Sequence, residues 1–295
     1  MNMDRTLPWA AGQRKMAAAG NKSDVIRKER EALSSLKDRF SVSSATLISV
    51  STVVVIIGLW TVLSLTGKLN SQVIPDIRAV FGAIASISTE GYKGATLLGH
   101  LSASFFRLFS AFFLAIVTAI PLGLWSGQNE KIRALLEPIV EFVRPLPPLA
   151  YYTLLVLWMG IDNESKIMLL YLACFTPIYV ACVSAVTKIP ESYVYVARTL
   201  GADGKNIFRR VILPYTAPDI FTGIRTSIGH GYSTLVAAEM VAAASGVGWM
   251  VLDASNWLRN DVVFAGIIVM GITGILIDRI LKFAEVKLVP WKGKL

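Results

Sequence analysis

Residues 45–65 form an apolar run without a single acidic or basic side chain. At 1.5 Å of rise per residue, about 20 such residues cross a hydrocarbon core of roughly 30 Å. Five further runs follow. Residues 101–125 carry one charge, Arg107, and end in a Pro121-Leu-Gly123 break; residues 144–159 open on Arg144-Pro-Leu-Pro-Pro148; residues 167–186 carry no charge. Residues 220–244 are interrupted by Arg225, His230, Tyr232, Ser233, Thr234 and Glu239, whereas residues 262–280 are charged only in their last turn. The pattern predicts an all-α membrane protein with six transmembrane helices. With 54% hydrophobic and 17% charged residues, the chain is neither disordered nor an ordinary soluble domain. Cys174 and Cys182 are too few for a disulfide scaffold. They share one apolar run with no His or carboxylate beside them, so they read as small buried helix residues and not as a metal site.

Residues 1–44 form a basic arm, and their charged stretch is too long for a secretory n-region. Ile26, Leu33, Leu36 and Phe40 recur at helical spacing among Arg27, Lys28, Arg30, Lys37 and Arg39. That is the pattern of an amphipathic helix lying on an anionic membrane surface, the alternative being a disordered positive tail that only fixes topology. If the arm is cytoplasmic, six crossings put 22 of the 29 Lys and Arg residues inside and five outside, with Arg107 and Arg225 within helices. Such an asymmetry predicts that both termini are cytoplasmic. The net charge of +9 therefore reports orientation, and no nucleic-acid partner is expected.

The longest cytoplasmic loop, residues 189–219, reads as two short helices separated by a turn. Pro190 suits a helix start, Gly201 permits the left-handed geometry that closes the first helix, and Pro214 is expected to stop the second. Tyr193, Val196, Ala197 and Leu200 fall on one helical face, an apolar ridge that needs a partner. An ATP-hydrolysing chain would need Gly-x4-Gly-Lys-Ser/Thr. The nearest string here, Gly201-Ala-Asp-Gly204-Lys205-Asn206, has a two-residue spacer and no hydroxyl to hold magnesium. With two histidines and no paired carboxylates, no enzymatic activity and no cofactor are expected in this chain.

Ala197, Gly201 four residues later, Val211, Leu213 and Pro214 resemble the cytoplasmic loop of binding-protein-dependent ABC importer permeases, Ala-x3-Gly-x9-Ile-x-Leu-Pro, with Tyr195-Val196 standing for its leading Glu-Ala. The resemblance runs over about residues 96–294. Glu137-Pro-Ile-Val-Glu-Phe-Val-Arg-Pro-Leu-Pro-Pro-Leu149, Trp158-Met-Gly-Ile161, Ser233-Thr-Leu-Val-Ala-Ala-Glu-Met240 and Val289-Pro-Trp291 look like the nitrate, sulfonate and taurine branch, nearest to taurine permeases.

The resemblance implies a type I permease fold in a bacterial inner membrane, with a permease core at 96–285 and a cytoplasmic tail at 286–295. It implies a second copy of the chain as partner, two cytoplasmic ATPase subunits that bind ATP and Mg2+, and a soluble substrate-binding protein. The expected cargo is a small organic anion or zwitterion, taurine or another sulfonate, with nitrate, bicarbonate or an aromatic carboxylate as alternatives. An ion-gradient-driven transporter is the competing class. Tyr195, Val196, Ala197, Arg198, Leu200, Gly201, Ala202, Leu213 and Pro214 would form the ATPase-coupling loop.

Ionisable groups inside a spanning helix are costly and face a partner or an aqueous path. Arg107 and Glu239 lie about 9 Å and about 7 Å below the outer edge of their helices, so they are expected to pair. The pair would brace a gate at the outer end of the translocation path or simply hold helix to helix. Tyr232, Ser233 and Thr234 are expected to line the path or to pack between helices. His230 is read as a packing residue. After Ser245-Gly-Val-Gly248, an amphipathic helix is expected to place Trp249 and Trp257 on one face at the outer interface.

Overall fold

The computed structural model describes residues 44–66 and 73–292; the amphipathic helix expected in the N-terminal arm lies outside them. The chain divides at Leu65. On the N-terminal side stands α1, Ser44–Leu65. Three of its hydroxyls are satisfied within the helix: Ser51 and Thr52 donate to the Ile48 carbonyl and Thr61 to that of Ile57, which spares the apolar surface those unpaired polar groups.

On the other side lie α2 (Ile77–Thr89), α3 (Leu97–Gln128), α4 (Glu130–Val143), α5 (Pro148–Met159), α6 (Asn163–Thr187), α7 (Glu191–Thr199), α8 (Gly204–Ile207), α9 (Leu213–Ala242), α10 (Val247–Asn256) and α11 (Asn260–Leu288). By length and composition α3, α6 and α11 can each cross a membrane, and the α8–α9 stretch with α10, bent by 47° between them, qualifies as a further broken span. The run expected at 144–159 is interrupted at Arg144–Pro147, because the prolines there supply no N–H to continue a helix. Only the 12 residues of α5 remain apolar and helical, a length of about 18 Å.

Helix α6 is the hub, with α3 and α9 packed along it. Lipid is as apolar as leucine, so close approach of small residues, not water exclusion, holds such helices together. At Gly123 of α3 a Cβ would come within 3.0 Å of the Tyr179 carbonyl, and at Gly223 of α9 within 3.3 Å of that of Pro177. Both predicted buried cysteines sit in this seam, fully enclosed. Ser227 donates to the Cys174 carbonyl at 2.9 Å and so locks α9 to α6. Outward, Phe106, Phe109, Phe113 and Val117 make an exposed apolar stripe on α3, as a lipid-facing helix requires.

Two prolines behave differently from expectation. Pro121 does not end α3, which continues to Gln128; packing along α6 holds the helix across the one lost hydrogen bond. Pro214 does not stop a helix either. The chain passes from α8 through a π-helical turn, Phe208–Ile212, straight into α9, and the Leu213 N–H bonds five residues back to Phe208. That wider turn accommodates the pyrrolidine ring, so the continuous helix loses only the one N–H that proline cannot supply. The sequence reading gave no elements at α2 and α4. In α2, Val80, Ala83 and Ile87 are buried at helical spacing, on the side that packs against α11.

Candidate functional site

Three constructions dominate the core of the fold: a helical corner at α7, a polar knot at the far end of α9 and a cavity lined by α5, α6 and α9. The corner is α7 and its stop. Gly201 has φ +82°; its N–H donates to the Arg198 carbonyl at 2.9 Å, and the Ala202 N–H donates to that of Ala197 at 3.0 Å. This 6→1 and 5→2 pair is a Schellman motif, and it explains the four-residue spacing of Ala197 and Gly201. Asp203 then caps α8 by accepting from the Asn206 N–H at 2.9 Å.

Tyr193, Tyr195, Val196 and Leu200 are exposed, Leu200 at 83%. Ala197, expected on that ridge, turns inward with Val194 and Ala202 against the core. Its small side chain is what lets α7 lie close to the rest of the corner. Leu213 and Pro214 begin α9, and Pro214 accepts a hydrogen bond from the Trp291 indole.

The polar knot is built around Glu239 of α9, whose carboxylate accepts from the Arg107 guanidinium of α3 at 2.7 Å. Ser104 donates to it at 2.8 Å and the Gly248 N–H at 2.9 Å. Arg107 also donates to Asn163 at 2.7 Å and to the Ser245 carbonyl at 2.8 Å. Both charges are almost fully buried. With both carboxylate oxygens and all three guanidinium nitrogens directed at partners, the cost of burial is offset by charge-assisted bonds. Gly246, at φ +120°, passes so close to the carboxylate that a Cβ there would collide with it. The knot thus joins α3, the start of α6, the end of α9 and the turn into α10.

A second layer secures that turn. Buried His100 accepts the Gly246 N–H on Nδ1 at 3.2 Å. Its other nitrogen therefore carries the proton and donates to the Tyr92 carbonyl at 3.1 Å. Trp249 stacks on His100 with centroids 5.7 Å apart, whereas Trp257 is exposed, so the two tryptophans do not share one environment. Tyr92 donates to Asp253 at 2.8 Å; burial, then this bond, push its phenol up to about 12.

The cavity, about 540 Å3, runs between α5, α6 and α9. Its lining includes Arg144 just before α5, the Lys188–Asp219 pair between the end of α6 and the first turns of α9, and Tyr151, Thr176, His230 and Thr234. Lys188 and Asp219 are 3.8 Å apart and mostly solvent-exposed, a loose pair. Of the residues expected on the path, Thr234 lines this cavity. Ser233 is exposed and bonds back to the His230 carbonyl. Tyr232 turns to α11, where its hydroxyl reaches Met270 and Thr273. His230, expected to pack, is exposed on the cavity wall.

Residues 119–289 match the family described as binding-protein-dependent transport system inner membrane component. The chain belongs to that family. The permease is 38% identical over 260 residues to the taurine transport system permease protein TauC of Escherichia coli (strain K12), covering 88% of this chain and 94% of that one. It is 32% identical over 239 residues to a putative aliphatic sulfonates transport permease protein SsuC of Bacillus subtilis (strain 168), covering 81% and 85% of the two chains. A chain of the inward-facing MetNI methionine ABC transporter shares its fold, with TM-score 0.56 and 18% identity over 66% of this permease and 94% of that chain. The permease is thus an all-helical inner-membrane subunit with the fold of that importer.

Several residues of these constructions escape sequence reading. Ser104, Asn163 and Ser245 complete the knot but carry no charge to mark them. Buried Lys166 donates to the carbonyls of Ile161 and Asp162 and ties the turn between α5 and α6. Arg225, flagged only as a charge within a helix, makes a two-pronged pair with Asp278 of α11 at 2.7 and 3.0 Å, the geometry that suits a guanidinium to a carboxylate.

Proposed function

We propose that this permease moves a small organic anion or zwitterion, taurine or another sulfonate, across the inner membrane as one half of a homodimer. Two cytoplasmic ATPase subunits, which hold ATP and Mg2+, drive it, and a soluble binding protein delivers the cargo. Six crossings with both ends inside agree with the distribution of basic residues; α1, α3, α6, α9 and α11 supply five, and α5 with the adjoining end of α4 supplies the third in chain order. The Arg107–Glu239 knot braces the outer closure.

The observation that carries this reading is the ridge of α7. Tyr193, Val196 and Leu200 are large, apolar and exposed on a helix whose end is fixed by a Schellman stop. Apolar side chains set on so rigid a helix are suited to a groove of a partner protein. Seated in an ATPase groove, α7 would turn nucleotide-driven closure into movement of α9, because the π-helical turn makes α8 and α9 one continuous helix. The substrate class rests on the taurine and sulfonate relatives. The test is uptake into proteoliposomes containing permease, ATPase and binding protein. Taurine and alkanesulfonates should accumulate with ATP, and nitrate, bicarbonate and aromatic carboxylates should not. The reverse preference would reassign the cargo.

A further inference from the structure

The polar residues along the cavity differ in how their hydrogen-bonding capacity is used. On α6, Thr176 donates back to the Leu172 carbonyl, and on α9 Thr222 and Thr226 donate back to Pro218 and Thr222. The Tyr151 phenol, the His230 imidazole and the Thr234 hydroxyl on the cavity wall have no hydrogen-bond partner among the described residues, nor does the hydroxyl of Ser184, four residues before Lys188.

The first three agree in depth. Tyr151 lies eight residues below the outer end of α5, Thr234 eight below that of α9, and His230 twelve, so they stand about 12 to 18 Å in, near the middle of a core of roughly 30 Å. Lys188 and Asp219 close the other end of α6 and α9, about 35 Å from the same outer ends. The cavity therefore has neutral donors at mid-membrane and the Lys188–Asp219 pair deeper in, while Arg144, just before α5, has no carboxylate partner among the described residues.

We propose that Tyr151, His230 and Thr234 form an oxyanion subsite halfway through the permease, which holds the three-oxygen head of a sulfonate in transit. The assignment rests on the sulfonate reading above and adds the residues that meet the cargo. Two hydroxyls and one imidazole N–H can offer three donors to three acceptor oxygens. Hydrogen bonds to a charged acceptor are stronger than neutral ones, and they gain further in a low-dielectric wall. The absence of a fixed cation among these three keeps the stop shallow. A transport site must bind well enough to admit its cargo and weakly enough to release it. Arg144, before α5, and Lys188, deeper in, then attract the anion onward, with Asp219 moderating Lys188.

The experiment uses the nucleotide-free permease–ATPase complex in detergent, without binding protein, titrated with ethanesulfonate and followed by saturation-transfer NMR. Dimethyl sulfone, which is uncharged, serves as the comparison probe. Tyr151→Phe and Thr234→Val keep shape and remove one hydroxyl each, so folding is preserved. Each of them, and His230→Ala, is expected to weaken ethanesulfonate binding by about tenfold and to leave dimethyl sulfone binding unchanged, while His230→Gln, which keeps a donor, retains most of the affinity. Wild-type affinity in all three deletion variants would overturn the subsite. So would a wild-type complex that binds no ethanesulfonate yet imports it when the binding protein is added. Wild-type proteoliposomes that import no sulfonate at all would instead overturn the cargo reading, and the subsite with it.

Discussion

The indole N–H of Trp291 donates to the carbonyl of Pro214 across 3.0 Å, joining the segment after α11 to the first turn of α9. Beside it Lys292 donates to Thr222 at 3.0 Å and pairs with the buried Glu285. The start of α9, which continues from α8 through the π-helical turn, is therefore gripped by the C-terminal strap as well. Trp291→Phe keeps the ring and deletes the donor. It is expected to fold normally and to lower cargo imported per ATP by about threefold to tenfold. The ratio of uptake to ATP hydrolysis in proteoliposomes measures this, and an unchanged ratio rules out a mechanical role for the strap.

Glu239→Gln attacks the outer knot. The side chain keeps its size and one acceptor, but Arg107 is left with a buried charge and no carboxylate. Removing one partner of a buried pair costs roughly 3–5 kcal/mol, so thermal stability in detergent should fall clearly. Arg107→Met with Glu239→Met should recover part of it, since the uncompensated charge is gone. If the pair also braces the outer closure, the double variant will be stable but will hydrolyse ATP without importing cargo. Normal uptake by a stable double variant would reduce the pair to a helix-to-helix tie.

Leu200→Asp tests the ridge of α7. Leu200 is 83% exposed, so the substitution costs the isolated subunit little. Copurification with the ATPase should drop sharply while the permease stays monodisperse. Asp at the inward-facing Val194, partly buried against the core, should damage the permease itself, and the contrast between the two separates a docking surface from a packing surface.

The sequence makes the long apolar helices and the pairing of Arg107 with Glu239 legible, because both follow from the cost of putting polar groups in lipid. Helix ends were less so. Pro121 and Pro214 read as breaks, yet tertiary packing and one π-helical turn carry the chain through them. The cavity wall is only partly legible: of the residues expected on the path Thr234 lines the cavity, whereas Tyr232, two residues earlier on the same helix, faces α11. Periodicity alone cannot say which face of a mostly polar helix meets the neighbour. His230 reads as a packing residue because a lone histidine in an apolar run usually is one; its place on the wall of a cavity lined by α5, α6 and α9 is a feature of three elements together. Ser104, Asn163 and Ser245 carry nothing in their local sequence that distinguishes them from other small polar residues.

Gly201→Val separates backbone geometry from side-chain contact at the coupling corner. A Cβ at Gly201 would meet nothing within 4 Å, so no clash disfavours the substitution. The obstacle is φ +82°, a left-handed conformation that a β-branched residue resists. Forcing it costs on the order of 1–3 kcal/mol, and the cheaper outcome is for the Schellman bonds from Gly201 and Ala202 to open. Helix α7 would then fray at the turn that fixes Leu200. The expected result is a folded permease with weakened ATPase association and uptake reduced in proportion. Gly201→Asn, with a residue that tolerates the left-handed region, should retain most of both. Equal behaviour of the Val and Asn variants, whether both active or both inactive, would show that the conformation of this turn does not set the coupling.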